Sequence, residues 1–164
     1  MDLIALEHHQ ADVLAALRAL GAHLGWEGDA VVVDGDLVYQ VPLPNDPDVS
    51  GAFFVVGPDE PNIRLYLTLP LNAPLSQIAK ASEFVIRCGY GRRFGALDLD
   101  LDRGSLRVRM DTDATEETIE SSVTRLLDRA MALGREVSPG WRAVVREGVK
   151  SADALACRAL ESEQ

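Results

Sequence analysis

The chain has 164 residues, is 47% hydrophobic and carries a formal net charge of −10. That size suits one globular domain, 1–164, with a proper core. The charge argues against sequence-independent nucleic-acid binding, which needs a basic stripe. No apolar run approaches the roughly 20 residues of a membrane span, and Asp2 and Glu7 stand where a signal peptide would be basic. The two cysteines, Cys88 and Cys157, lie in no motif. Reduced thiols in a cytoplasmic protein are the expectation.

From Asp2 to Leu24, Leu3, Leu6, Val13, Leu17, Leu20 and Leu24 recur in steps of three and four, with Gln10 the one polar interruption. This predicts an amphipathic helix packed on a sheet rather than a coiled coil, stopped between Gly21 and Gly25. Ala30 to Val33 and Leu37 to Val41 flank Asp34-Gly35, a dipeptide that tolerates positive φ at both turn positions and so predicts a hairpin. Pro42 to Ser50, with three prolines, reads as a loop. Ala52 to Val56 and Ile63 to Leu71 resume strand character, and Ile63, Leu65, Leu67, Leu69 and Leu71 share one face.

A second helix is expected after Asn72 as N-cap, with Leu75, Ile78, Ala79, Ser82, Val85 and Ile86 as its buried stripe and Gly89 as its end. In the next hairpin, Leu97, Leu99 and Leu101 alternate with aspartates, and Leu106, Val108 and Met110 with Arg107, Arg109 and Asp111. The register expected pairs Leu101 with Leu106, Leu99 with Val108 and Leu97 with Met110. It sets Asp100 opposite Arg107 and Asp98 opposite Arg109. Asp113 and Glu116 have capping-box spacing, with Thr115 as a competing cap. Ile119, Val123, Leu126, Leu127, Ala130, Leu133 and Val137 then mark a third helix. Pro139 is expected to interrupt it, with Ser138 capping a continuation through Trp141, Val144 and Val145. A short final helix is expected from Ser151 to Gln164.

No catalytic, cofactor or metal residue is assigned. Asp98, Asp100, Asp102 and Gly104 resemble a calcium loop, but Arg103 and Arg109 occupy positions where that motif needs glycine and glutamate. Gly89, Gly91 and Gly95 follow a helix and precede a strand, the reverse of a nucleotide fingerprint. Arg92 and Arg93 in that corner are suited to meeting an anion or to simple solvation. His8, His9 and His23 do not converge, and no nucleophile motif is present.

The fold class expected is α+β, an antiparallel sheet of about five to six strands with helices on one face, in the order α-β-β-β-β-α-β-β-α. That order, with Leu65 to Leu71, Arg93-Phe94-Gly95-Ala96-Leu97-Asp98-Leu99, Gly104-Ser105-Leu106-Arg107-Val108-Arg109, Pro139 and Ser151 to Leu155, resembles the YbjN domain family. The resemblance covers roughly the last hundred residues. At the corner, Tyr90-Gly91-Arg92 replaces an asparagine associated with that family. The resemblance implies a fold similar to type III secretion chaperones and a role as a bacterial sensory-transduction regulator, with no catalytic residues. The function expected is a non-enzymatic protein-binding or regulatory module with an unidentified protein partner. Alternatives are a secretion-type chaperone holding an extended client segment, or an enzyme with an unrecognised site. A homodimer is expected from the resemblance, from the apolar seam at Leu3 to Leu24 and from the lack of a catalytic grouping, its working surface being the sheet or its edge.

Overall fold

The computed structural model describes residues 7–59, 62–113 and 118–154. Helix α1 spans His8–Leu24, then β1 Asp29–Val33, β2 Asp36–Pro42, β3 Gly51–Val56 and β4 Asn62–Asn72. A 3-10 turn at Leu75–Gln77 leads into α2, Ile78–Gly89. Strands β5, Ala96–Leu99, and β6, Ser105–Asp113, precede α3, Ile119–Glu147. The six strands form one antiparallel sheet in the order β1-β2-β3-β4-β6-β5. The fold is α+β, and α1, α2 and α3 all lie over one face of the sheet.

Period-two alternation decides that face. Leu37, Tyr39 and Val41 of β2, Ala52, Phe54 and Val56 of β3, Ile63, Leu65, Leu67 and Leu69 of β4, and Leu106, Val108 and Met110 of β6 are buried beneath the helices. Val123, Leu126, Leu127, Ala130, Leu133, Val137, Trp141 and Val144 of α3 meet them. On α1, Val13 and Leu17 enter the core as expected, joined by Leu14 and Ala16, whereas Leu24 is exposed and Leu3 and Leu6 lie outside the described residues. Gln10 is buried because its amide donates to the carbonyls of Gly35 and Val56, both at 2.9 Å, tying α1 to the first hairpin. Its Oε1 also accepts from the Glu7 N–H, half of a capping box. Gly25, at φ +70°, caps α1 in the left-handed conformation. Asp34 and Gly35, at φ +52° and +91°, make the expected turn.

Several expectations are corrected. Helix α2 is rotated from the expected stripe: Ile78 and Val85 pack against the core as expected, but Ala81, Phe84 and Cys88 are the fully buried positions, while Leu75 and Ile86 are each 72% exposed and Ala79 faces out. Phe84 wins because its ring packs against Trp141, with centroids 6.2 Å apart, a contact that only the three-dimensional fold supplies. Asn72 ends β4 instead of capping the helix, whose first turn is 3-10 after Pro74. The alternation of β4 stops at Leu69: Leu71 sits at φ +80° beside a register shift, and its carbonyl accepts from Trp141 Nε1 at 3.1 Å. Pro139 does not break α3, which runs 29 residues without interruption. One missing helical hydrogen bond is outweighed there by burial of Val137, Gly140, Trp141 and Val144. The cap of α3 is Thr118, whose hydroxyl accepts from the Ser121 N–H; Thr115 and Glu116 lie outside the described residues.

The last hairpin has its apolar side chains on the expected face but a register two residues away from the expected one. Leu99 pairs with Leu106, Leu97 with Val108, and Asp98 with Arg107. Leu101 is thereby released into the turn, 58% exposed. A slip of two conserves the face of every side chain, so hydrophobic patterning could not choose between the registers. The turn chose. Asp100 accepts from the N–H groups of Asp102 and Arg103, each at 3.0 Å, and Gly104, at φ +68°, sits against the Ala73 backbone, its carbonyl accepting from the Ala73 N–H at 2.8 Å.

A Cβ at Gly104 would lie 2.0 Å from the Ala73 carbonyl oxygen, whereas one at Gly25 would meet nothing within 4 Å. Both glycines have positive φ, so their alanine variants share the conformational cost and differ in the clash. Urea unfolding should show a loss of about 1 kcal/mol for Gly25→Ala and about 3 kcal/mol or more for Gly104→Ala. Equal losses would show that the approach to Ala73 does not hold the hairpin.

Candidate binding surface

The face of the sheet turned away from α1, α2 and α3 is left uncovered by any described element. Strand alternation builds it. Across the strands one row reads Val31, Val38, Val55, Arg64 and Asp111, and the next reads Gln40, Phe53, Tyr66, Arg109 and Ala96. Thr68, Arg107 and Asp98 make a third. The β1–β3 half is aliphatic and aromatic, and the β4–β6–β5 half is charged.

The charged half is internally paired. Arg64 Nε donates to Asp111 at 2.6 Å, and that bond raises the Arg64 guanidinium above its already high ordinary pKa, against the opposing effect of burial. Arg109 Nε donates to Asp98 at 2.9 Å, and its Nη1 lies 3.6 Å from Asp111. The expected Asp98–Arg109 ion pair therefore exists, reached diagonally, while Asp100 and Arg107 are not cross-strand neighbours. Exposed pairs of this kind contribute at most about 1 kcal/mol each. In the other half, Phe53 and Tyr66 stack with centroids 5.0 Å apart, and the Arg107 guanidinium carbon lies 5.1 Å above the Phe53 ring. All of these apolar and aromatic side chains are half-buried by one another.

A second exposed surface follows from the corrected face of α2. Ile86 and Tyr90 lie one turn apart, Tyr90 is 91% exposed, and Leu75 precedes them. Phe94, beyond the corner, is held by Arg129 at 5.6 Å. This stripe was missed because alternation of helix faces alone cannot tell the inner from the outer side when both carry isoleucine or phenylalanine.

The remaining sequence candidates are accounted for structurally. Arg92 is not a solvated anion receptor: it donates to Glu136 at 3.1 and 3.3 Å, to the Cys88 carbonyl at 2.9 Å and to the Cys88 thiol at 3.6 Å. Burial pulls its pKa down, but the bonds to Glu136 and Cys88 outweigh it and leave the pKa raised. Arg93 is exposed. The aspartates resembling a calcium loop are dispersed, Asp98 to Arg109 and Asp100 to the turn amides. His8 lies 3.8 Å from Asp12, His9 Nε2 lies 2.8 Å from the Gly57 carbonyl, and His23 is exposed at the other end of α1. A shallow hollow of about 470 Å³ runs between Trp26, Pro42, Leu43, Pro44 and Met131. Another, of about 300 Å³, brings Asp36, Asp59, Asn62 and Arg64 to the rim of the open face. No helix among the described residues is long and apolar enough to cross a membrane.

No family model matches the chain, and no curated protein matches it. Two solved structures are similar in outline. A chain of the HopA1–SchA chaperone–effector complex is 17% identical with a TM-score of 0.43, and one of the ExsC–ExsE complex is 14% identical with a TM-score of 0.35. Each alignment covers 84% of this chain and 98% of the other. Likeness at that level carries no activity or partner across.

The Asp100 carboxylate is held below its ordinary pKa first by the Arg103 N–H and then by the Asp102 N–H, with smaller contributions from the charges of Arg103 and Arg107. A depressed carboxylate stabilises the fold above its unfolded pKa and loses that effect as pH falls through the folded value. Asp100→Ala should therefore unfold at lower urea than the wild type at pH 6, with the gap closing as pH falls below about 4. A gap independent of pH would mean that the turn does not use the charge.

Proposed function

We propose that this chain is a single-domain, non-enzymatic, cytoplasmic protein-binding module that holds an extended segment of a partner protein on the open face of its sheet. The observation that supports it best is the composition of that face: Val31, Val38, Val55, Phe53 and Tyr66 make a contiguous apolar and aromatic surface beside a charged one. Surfaces of that kind mark interaction sites. An extended segment, with side chains at period two, can cross a pleated face and present an apolar row to the valines. The YbjN resemblance points to the same class of function. Whether the segment belongs to a client that is held, as by a secretion chaperone, or to a regulated partner, the surface used is the same.

A homodimer is supported by the exposed apolar stripe around α2. Of the α1 seam, Val13 and Leu17 are in the core, Leu24 is exposed and Leu3 and Leu6 lie outside the described residues, whereas Leu75, Ile86 and Tyr90 on and around α2 are exposed. Light scattering should give twice the 17.8 kDa of the chain, and Ile86→Glu, exposed and tolerant of charge, should return it to the single mass. A single mass for the wild type at all micromolar concentrations would remove the dimer.

The binding reading is tested with the tagged full chain. A partner identified by co-purification from the native cell is purified, rebound and mapped by hydrogen exchange and by Phe53→Asp and Val55→Asp variants that keep the circular dichroism of the wild type. Binding weakened at least about tenfold by each variant is the expected outcome. Unchanged binding by both, or turnover of a small molecule in the hollow at Asp36 and Asn62, would displace the proposal.

A further inference from the structure

Three arginines stand on the open face, and their situations differ. Arg64 and Arg109 use both aspartates of that half-face, Asp111 and Asp98. Asp98 is opposite Arg107 in the register yet turns to Arg109. Arg107 is left with no carboxylate oxygen within 4 Å among the described residues, and its charge is felt only weakly at Asp100. Its side chain lies across the face beside Thr68, its Nε is buried without an acceptor, and its guanidinium rests on Phe53.

That arrangement is directional. With Nε walled in, the two terminal nitrogens are what the fork can offer outward, the end-on geometry in which a guanidinium takes both oxygens of a carboxylate. Stacking on Phe53, itself braced by Tyr66, fixes the side chain before any partner arrives, so less rotamer freedom is lost on binding. Among the described side chains, Asp98 and Asp111 are engaged by Arg109 and Arg64, and Arg107 is the guanidinium of the three without an ion-pair partner there. We infer that Arg107 is the receptor for a carboxylate side chain, aspartate or glutamate, on an extended protein segment whose neighbouring aliphatic side chains cover Val55, Val38 and Val31. The inference rests on the protein-binding reading and specifies the chemistry of the partner.

Single-stranded nucleic acid fits the same residues less well. Phe53 already stacks on Tyr66 and lies under Arg107, so it has no free ring face for a base. A free anion would use the guanidinium but leave the valine row uncovered.

The probes are two synthetic peptides of alternating valine and threonine with lysine-capped ends, one with a central glutamate and the other with glutamine there. Titrated into the full chain and followed by NMR, the glutamate peptide should bind about tenfold tighter and shift the Arg107 side-chain signals together with the Phe53 and Tyr66 rings. Arg107→Gln should bind both peptides equally, and Arg107→Lys should recover only part of the preference. Arg64→Gln, which touches an existing pair instead, should keep the preference. Equal binding of the two peptides by the wild type, or a preference that survives Arg107→Gln, overturns the carboxylate site and leaves the protein-binding reading standing. Failure of both peptides to shift the open face, or tighter binding of oligothymidylate there, overturns both.

Discussion

The indole of Trp141 fixes the relation between the helix layer and the sheet. It is fully buried, donates to the Leu71 carbonyl and packs against Phe84 of α2. One side chain thus joins α3, α2 and the end of β4. Leu71 is a non-glycine residue at φ +80°, a conformation that costs on the order of 1–3 kcal/mol and persists only where its surroundings over-determine it. Here the indole hydrogen bond on one side and the register shift between Thr68 and Asn72 on the other do so. The same departure from strand geometry turns the chain at Ala73 against Gly104, which closes the last hairpin onto β4. For Trp141 to reach this place α3 must continue beyond Pro139, and it does.

Placing every helix on one side leaves the other side of a six-stranded sheet to manage its own exposure. Antiparallel sheets tolerate this through alternation, and this chain divides the task by strand. On β4, β5 and β6 the outward positions hold Arg64, Arg107, Arg109, Asp98 and Asp111, which keep the surface wet and mostly paired. On β1, β2 and β3 they hold Val31, Val38, Phe53 and Val55, which shield one another only in part. The boundary between these halves runs along Phe53, Tyr66 and Arg107, where an aromatic pair carries a guanidinium. Charge pairing was sufficient for one half; the aliphatic half has no comparable internal remedy.

The sequence was legible where local chemistry and burial demand the same thing. Asp34-Gly35 dictates its turn, Gly25 ends α1, and the alternation from Ile63 to Leu69 identifies the buried face of β4. It was ambiguous where two arrangements satisfy the same pattern. Sliding β5 by two residues keeps Leu97 and Leu99 inward, so the deciding factors were the turn bonds of Asp100 and the fit of Gly104 against Ala73, both non-periodic. Helix α2 offers apolar residues on two stripes, and only the position of Trp141 in space selects Phe84 over Ile86. At Pro139 the local cost of a missing N–H, which the sequence displays, is smaller than the burial of the residues around it, which it does not. The candidate surface had the same character: each outward residue could be assigned to a face, but the row from Val31 to Asp111 required the strand order, which no stretch of sequence contains.

The two exposed surfaces belong to different layers of the molecule. The stripe of Leu75, Ile86 and Tyr90 belongs to the helix layer, on α2 where it packs beside α3 and β5, while the Val31 to Tyr66 surface is on the far side of the sheet. Their chemistry also differs. The α2 stripe is aliphatic and aromatic with Arg87 and Glu83 bonded to each other beside it at 2.7 Å, a self-neutralised rim. The open face carries guanidiniums on β4 and β6, and that of Arg107 lies over the Phe53 ring. A contact on α2 therefore neither covers the sheet nor competes for its charge, so a copy of the chain seated on the helices would leave each open face accessible. The distinction between the two surfaces follows from the one-sided layering that Trp141 holds in place.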